Sequence, residues 1–141
     1  MKLAAGILAL LLLAATVAAA ATSPHTQARA SLIHCRTVLA RVHLGRLTRK
    51  AEPAVKRAAA AALAACADGP KLARLGQIDS DTALTQASSA ELGVVQGLGD
   101  FGKYLADVAA GKTGHTKILN YSLAEISQAR LLIAEALTEL K

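Results

Sequence analysis

Aromatic side chains are nearly missing from these 141 residues: Phe101, Tyr104 and Tyr121 are present, and there is no tryptophan. Strands favour β-branched and aromatic residues, so this poverty argues against a sheet sandwich. A core of Ala, Leu, Val and Ile suits closely packed helices, and it gives little reason to expect a roomy ligand cavity. Methionine occurs only at position 1, which removes the thioether a bundle-type haem site would use as an axial ligand. Cysteine is limited to Cys35 and Cys66, which form neither C-x-x-C nor C-x-x-C-H, so neither a redox motif nor covalent haem attachment is expected. Acids are outnumbered, ten against sixteen Lys and Arg, for a net charge of +6.

What is present begins with a leader. Met1-Lys2 precedes an apolar run from Leu3 to Ala15; small residues follow at Ala18 to Ala21, and then the polar Thr22-Ser23-Pro24. A basic start, an apolar middle and an Ala-x-Ala zone are the parts of a secretory signal peptide, assigned here to residues 1–21. The rest, 22–141, is long enough for one domain with a single core. The expected location is therefore exported, secreted or periplasmic, with no membrane span once the leader is cleaved. In such an oxidising compartment two cysteines predict one disulfide, Cys35 to Cys66.

Hydrophobic spacing predicts four helices in two hairpins. The first hairpin covers 26–67. Ala28, Leu32, Cys35, Leu39 and Val42 make one stripe, in a helix read as 26–48. A polar turn at 48–52 leads to Pro53, well placed to open a second helix running to about Ala67. Gly69-Pro70 ends that helix. Antiparallel helices folded about residues 50 and 51 bring positions opposite when their numbers sum to about 101, which Cys35 and Cys66 satisfy. A linker is expected over 68–79, with at most one helical turn at Lys71 to Leu75. The second hairpin covers 80–140. Its first helix, 81–110, carries Leu84, Ala87, Glu91, Val94, Leu98, Phe101, Leu105 and Val108 at alternating spacings of three and four. Glycines 93, 97, 99 and 102 weaken it and call for a kink or a very close neighbour. Its second helix, 116–140, turns Leu119, Ser122, Ile126, Ala129, Ile133, Ala136 and Leu140 inward. The expected fold is all-α: an antiparallel four-helix bundle of two hairpins, the first disulfide-stapled, behind a signal-peptide helix.

Several motifs resemble chemistry without its context. Gly97 to Gly102 spells G-x-G-x-x-G and ends in D-F-G, but no strand precedes it. Ala106 to Thr113 resembles a phosphate-binding loop whose first glycine is alanine. His34 and His43 fall on opposite sides of a helix, and His25 and His115 stand alone. Asp79-Ser80-Asp81 reads as helix-capping chemistry, because the rest of a calcium loop is missing. Asn120-Tyr121-Ser122 is a glycosylation sequon inside a predicted helix. No catalytic, cofactor-binding or metal-binding set emerges, and no enzyme activity or cofactor is expected.

Charge is the uneven feature. Residues 22–78 hold ten Lys/Arg against two acids, a balance of +8, and residues 79–141 hold five against eight, a balance of −3. The positive charge peaks at the tip of the first hairpin, at Arg41, Arg46, Arg49, Lys50, Lys56 and Arg57, opposed only by Glu52. The functional expectation is a non-enzymatic exported interaction module that docks an anionic envelope component or protein partner through that tip. Nucleic acid is a poor candidate, because no aromatic lies between Thr22 and Ile78 to stack on bases. A carrier of a small hydrophobic ligand, lipid or haem, in the bundle core is the alternative. A homodimer through the glycine-rich third helix is a further expectation.

Overall fold

The computed structural model of the chain describes residues 22–140, so the leader assigned to residues 1–21 lies outside the described residues. Those residues form five helices: α1 Pro24–Leu39, α2 Glu52–Ala65, α3 Gly69–Ile78, α4 Thr82–Ala109 and α5 Thr116–Glu139. The described residues contain no strand, and Cys35 and Cys66 are joined in a disulfide with a Cα–Cα separation of 4.7 Å. The all-helical class and the staple therefore stand as expected. None of the described helices is long and apolar enough to cross a membrane.

Side-chain caps open two of the five helices. Ser23 accepts the Thr26 N–H at 3.2 Å, with Pro24 in the first turn of α1, and Asp81 accepts the Leu84 N–H at 3.2 Å to open α4. The α4 helix ends in a Schellman motif. Gly111 adopts φ +67, its N–H reaches the Val108 carbonyl at 3.1 Å, and the Lys112 N–H reaches the Asp107 carbonyl at 3.0 Å. That turn accounts for the glycine in the segment resembling a phosphate loop.

Cross-helix contacts fix the directions of the elements. His25 near the start of α1 pairs with Asp81 at the start of α4, and Arg29 donates to the Leu137 and Leu140 carbonyls at the end of α5. At the opposite end, Leu47 meets Tyr104, and Arg49 lies over Gly111. Thus α1 runs parallel to α4, while α2, α3 and α5 run against it. The inward stripes expected on both long helices are buried throughout, and α4 is continuous through its glycines. The close neighbour that explains Gly93 and Gly97 is α5. A Cβ on Gly97 would come 2.6 Å from Ile126 Cγ1, and one on Gly93 would come 3.3 Å from the Ala129 Cβ.

Two expectations need correction. The 68–79 linker is largely helix α3, whose Gly69, Leu72 and Gly76 are buried against α4. Pro70 cannot continue α2, because its ring clashes with the carbonyl four residues back and it has no N–H, but it is well suited to a first turn. The α2 helix ends at Ala65, ahead of the turn at 66–68, and the Gly-Pro pair opens α3. Second, the first helix stops at Leu39, not near 48, and the short turn at 48–52 is instead a loop spanning 40–51. Val42 is buried there, and Leu44 and Leu47 are partly buried, so the loop folds over the end of the core instead of prolonging α1.

Candidate functional site

The six basic residues singled out from the sequence gather at the end of the molecule formed by this loop. Arg41, Arg46, Arg49 and Lys50 lie on the loop, so Arg41 and Arg46 are not on a helix as expected, while Lys56 and Arg57 follow in α2. All six are exposed, and among the described residues none forms an ion pair. Glu52, the only acid of the tip, is 6% exposed in the first turn of α2, where backbone N–H groups favour a carboxylate. Lys112, in the adjoining α4–α5 turn, adds a cation that stands 3.6 Å from Asp107.

One buried side chain braces this end. Tyr104 is 1% exposed, its hydroxyl accepts the Leu47 N–H at 2.9 Å, and its ring meets those of Phe101 and His115 at centroid distances of 5.6 and 5.0 Å. The loop is thereby tied to α4 at Leu47, next to Arg46 and two residues before Arg49. Thr48 then prepares α2, its carbonyl and hydroxyl both taking the Ala51 N–H.

A second polar group lies at the break between α2 and α3, beside the disulfide. Glu91, the one acid in the inward stripe of α4, is completely buried and hydrogen-bonded to Ser31, and its Oε2 has no partner among the described residues. Ser31 Oγ is also 3.0 Å from Asp68 Oδ2. A hydroxyl has one proton to give, so it satisfies two carboxyl groups only when one of them is protonated. Burial pushes the Glu91 carboxyl above the usual range and neighbouring Asp68 adds to this, while the Ser31 hydrogen bond and the charge of His34 pull the other way. Ser31 is placed to donate to either Glu91 Oε1 or Asp68 Oδ2, so the three side chains share one hydroxyl proton. Ser88, three residues before Glu91, donates to the Gly69 carbonyl at 2.7 Å. Ser88 thus anchors the start of α3 to α4.

A third feature is a surface groove between the C-terminal half of α4 and the start of α5. Its volume is about 610 Å³, and Asp100, Lys103, Lys117, Ile118, Asn120 and Tyr121 line it. Lys103 Nζ sits 2.7 Å from Asp100, and this contact, with the neighbouring Glu125, holds the Asp100 carboxyl below its ordinary range. Desolvation and the nearby Asp100 push Glu125 the other way, and Gln96 donates to Glu125 Oε1 at 3.1 Å. The Gln96–Glu125 hydrogen bond ties α4 to α5 beside the groove residue Asp100.

The structure joins the two cysteines, places the six cations on the 40–51 loop and the first turns of α2, and uses Asp81 as the side-chain cap of α4. It scatters the histidines, and among the described residues no group of three His, Cys, Asp or Glu side chains could hold a metal. Sequence reasoning missed Tyr104 as the brace, the Ser31–Asp68–Glu91 chain, and the groove. Glu91 carried a visible signal, as an acid in an apolar stripe. Comparison with family models, curated proteins and solved structures yields no match.

Proposed function

We propose that the protein is exported and folds as four antiparallel rods, α2 and α3 together making one interrupted rod. On this reading it works without catalysis, as an interaction module docking an anionic surface or partner through its basic end. The observation that carries the docking reading is that Arg41, Arg46, Arg49, Lys50, Lys56 and Arg57 are all exposed and without ion pairs among the described residues. Cations serving internal cohesion would meet the acids of 79–141. Among the described residues, the acids of that segment that do form ion pairs, Asp81, Asp100 and Asp107, pair with His25, Lys103 and Lys112.

The brace through Tyr104 supports the same reading. A loop held in shape loses less conformational freedom on docking than one that must first be ordered. The disulfide fits an oxidising compartment and supports export alongside the leader. Near an anionic lipid surface each Lys or Arg is worth about 1 kcal/mol, so three of them change the binding constant by more than a hundredfold at low salt.

The test is sedimentation of the oxidised protein with phosphatidylglycerol vesicles across a salt series. Wild type is expected to bind and to release as salt rises. The Arg46→Ala/Arg49→Ala/Lys50→Ala variant is expected to bind far more weakly. Equal binding by both proteins removes the docking assignment.

A further inference from the structure

We infer that the outward face of α5 is a pairing surface for a second copy of this chain, laid antiparallel about a two-fold axis level with Ile126. The pairing goes beyond the docking reading and uses none of the basic residues at the tip.

The inward stripe of α5, from Leu119 to Ala136, is buried against the core. On the opposite side Lys117, Tyr121, Ala124, Gln128, Leu131 and Glu135 are all exposed and follow one another at spacings of four and three. Every helix has such an outer line, and what distinguishes this one is its occupants. A solvent-facing line is ordinarily charged, yet between Lys117 and Glu135 this one carries no charge. Tyr121 and Leu131 stand on it 59% and 60% exposed. Charge depletion with an aromatic and a branched apolar side chain is the composition of an interface centre.

The occupant follows from symmetry. Ile126 lies midway between Lys117 and Glu135, between Tyr121 and Leu131, and between Ala124 and Gln128. Two antiparallel copies of α5 level at that residue therefore set the members of each pair opposite one another, twice over, as an isologous interface demands. Each pairing matches in chemistry. Lys117 meets the partner's Glu135, and neither residue forms an ion pair within the chain among the described residues. Tyr121 meets the partner's Leu131, ring against branched side chain. Ala124 makes room for the partner's Gln128, and the two Gln128 carboxamides, each both donor and acceptor, face one another across the axis. A parallel pair would instead set Lys117 beside Lys117 and Glu135 beside Glu135. Opposed helix dipoles favour the antiparallel choice as well.

The α4–α5 groove lies along this line. Tyr121 forms one wall of it, so the partner's Leu131 arrives at its edge, where Ile118 and the aliphatic stems of Lys103 and Lys117 supply apolar contact. Two of the glycines expected to pair copies through α4, Gly93 and Gly97, are engaged inside the chain beneath α5, and the outer face of α5 takes over that role. The line runs about 27 Å at 1.5 Å per residue and leaves the two basic ends exposed at opposite poles of the pair. One helix per protomer falls at the lower end of specific interfaces, near ~1,200 Å² in total, so the dimer is reversible, dissociating in the micromolar range.

The experiment is sedimentation velocity of the oxidised protein from about 1 μM to about 500 μM. Wild type is expected to pass from monomer to dimer across that range. Leu131→Asp is expected to weaken association at least tenfold. Lys117→Glu and Glu135→Lys each place like charges opposite one another at both ends of the line and are each expected to weaken it about tenfold. Mixing these two variants in equal amounts recreates every opposite-charge pair, so the mixture is expected to dimerise as wild type does although neither variant does so alone. All three side chains are exposed, so melting temperatures of the dilute, monomeric variants are expected to match wild type. A wild type that stays monomeric at the highest concentration, a dimer that Leu131→Asp leaves unchanged, or a mixture no tighter than its components would each overturn the assignment. None of these results bears on vesicle binding by the Arg46/Arg49/Lys50 variant, so the docking reading stands or falls separately.

Discussion

At the scale of single residues, Glu91 has the most readable consequence. Its carboxyl is buried beside Asp68, so the folded protein holds that proton more tightly than the unfolded chain does. Below the ordinary carboxyl range both states are protonated and burial of the acid adds no pH-dependent penalty. As the pH rises past that range toward the raised folded value, the penalty grows, and above that value it is constant. Glu91→Gln, which mimics the neutral acid, is therefore expected to melt higher than wild type near pH 7, with the difference closing in acid. Melting curves across pH check this, and a variant less stable at neutral pH would mean that Glu91 is held ionised. Asp81 has the opposite sign: the hydrogen bond from His25 and that from the Leu84 N–H hold it low, so its contribution is lost as pH falls through its folded value.

Two glycines of α4 separate packing from propensity. Gly97→Ala would press a methyl group into Ile126 and is expected to cost about 1–3 kcal/mol despite the better helix former. Gly99→Ala meets nothing within 4 Å and is expected to stabilise by up to about 1 kcal/mol. Chemical denaturation of the two variants measures both signs.

At the scale of elements, the staple and the brace are the two ties that local helix formation cannot supply. Replacing Cys35 and Cys66 together by Ala is expected to cost on the order of 3–4 kcal/mol, from the entropy of the loop the disulfide closes. Tyr104→Phe removes the partner of one backbone N–H. About 1–2 kcal/mol is the expected cost, with faster amide exchange at Leu47 and through the basic loop. Hydrogen exchange confined to 40–51 distinguishes this from general loosening.

The long helices and the disulfide were legible in the sequence because each rests on one-dimensional spacing. The residues lining α4 and α5 recur every three or four positions, and Cys35 and Cys66 satisfy a simple antiparallel register. Helix α3 was not legible: it is ten residues long, begins with Gly-Pro, and has Leu72 and Leu75 as its main apolar signal. Its stability comes from α4, through Leu92 over Gly69 and Thr85 against Gly76, and those contacts leave no periodic trace. The early end of α1 was hidden for a similar reason. Val42 continues the helical stripe by number, yet it reaches the core from a loop. The groove lay beyond reach because its lining comes from the outward faces of two helices, which the core-directed stripes do not describe.

At the scale of the whole molecule, charge and topology divide the two ends. The helix start of α1 and the end of α5 meet where Arg29 closes on the last carbonyls of α5, and that clasp lies opposite the arginine-rich loop. If binding is governed by that loop, a plot of log affinity against log salt is expected to flatten in the Arg46→Ala/Arg49→Ala/Lys50→Ala variant, because fewer fixed cations exchange places with small ions. An unchanged slope would assign the salt dependence to other cations.

The Arg29 clasp also governs how the molecule can be mounted. Entry and exit of the folded chain share one pole, so a tether attached at either terminus, or a leader retained as an anchor, would hold the domain by the same foot. In each case the cationic crown would be held outward at the far side, some 20–25 Å away along α1 at 1.5 Å per residue, displayed to whatever lies beyond the attachment surface instead of pressed against it.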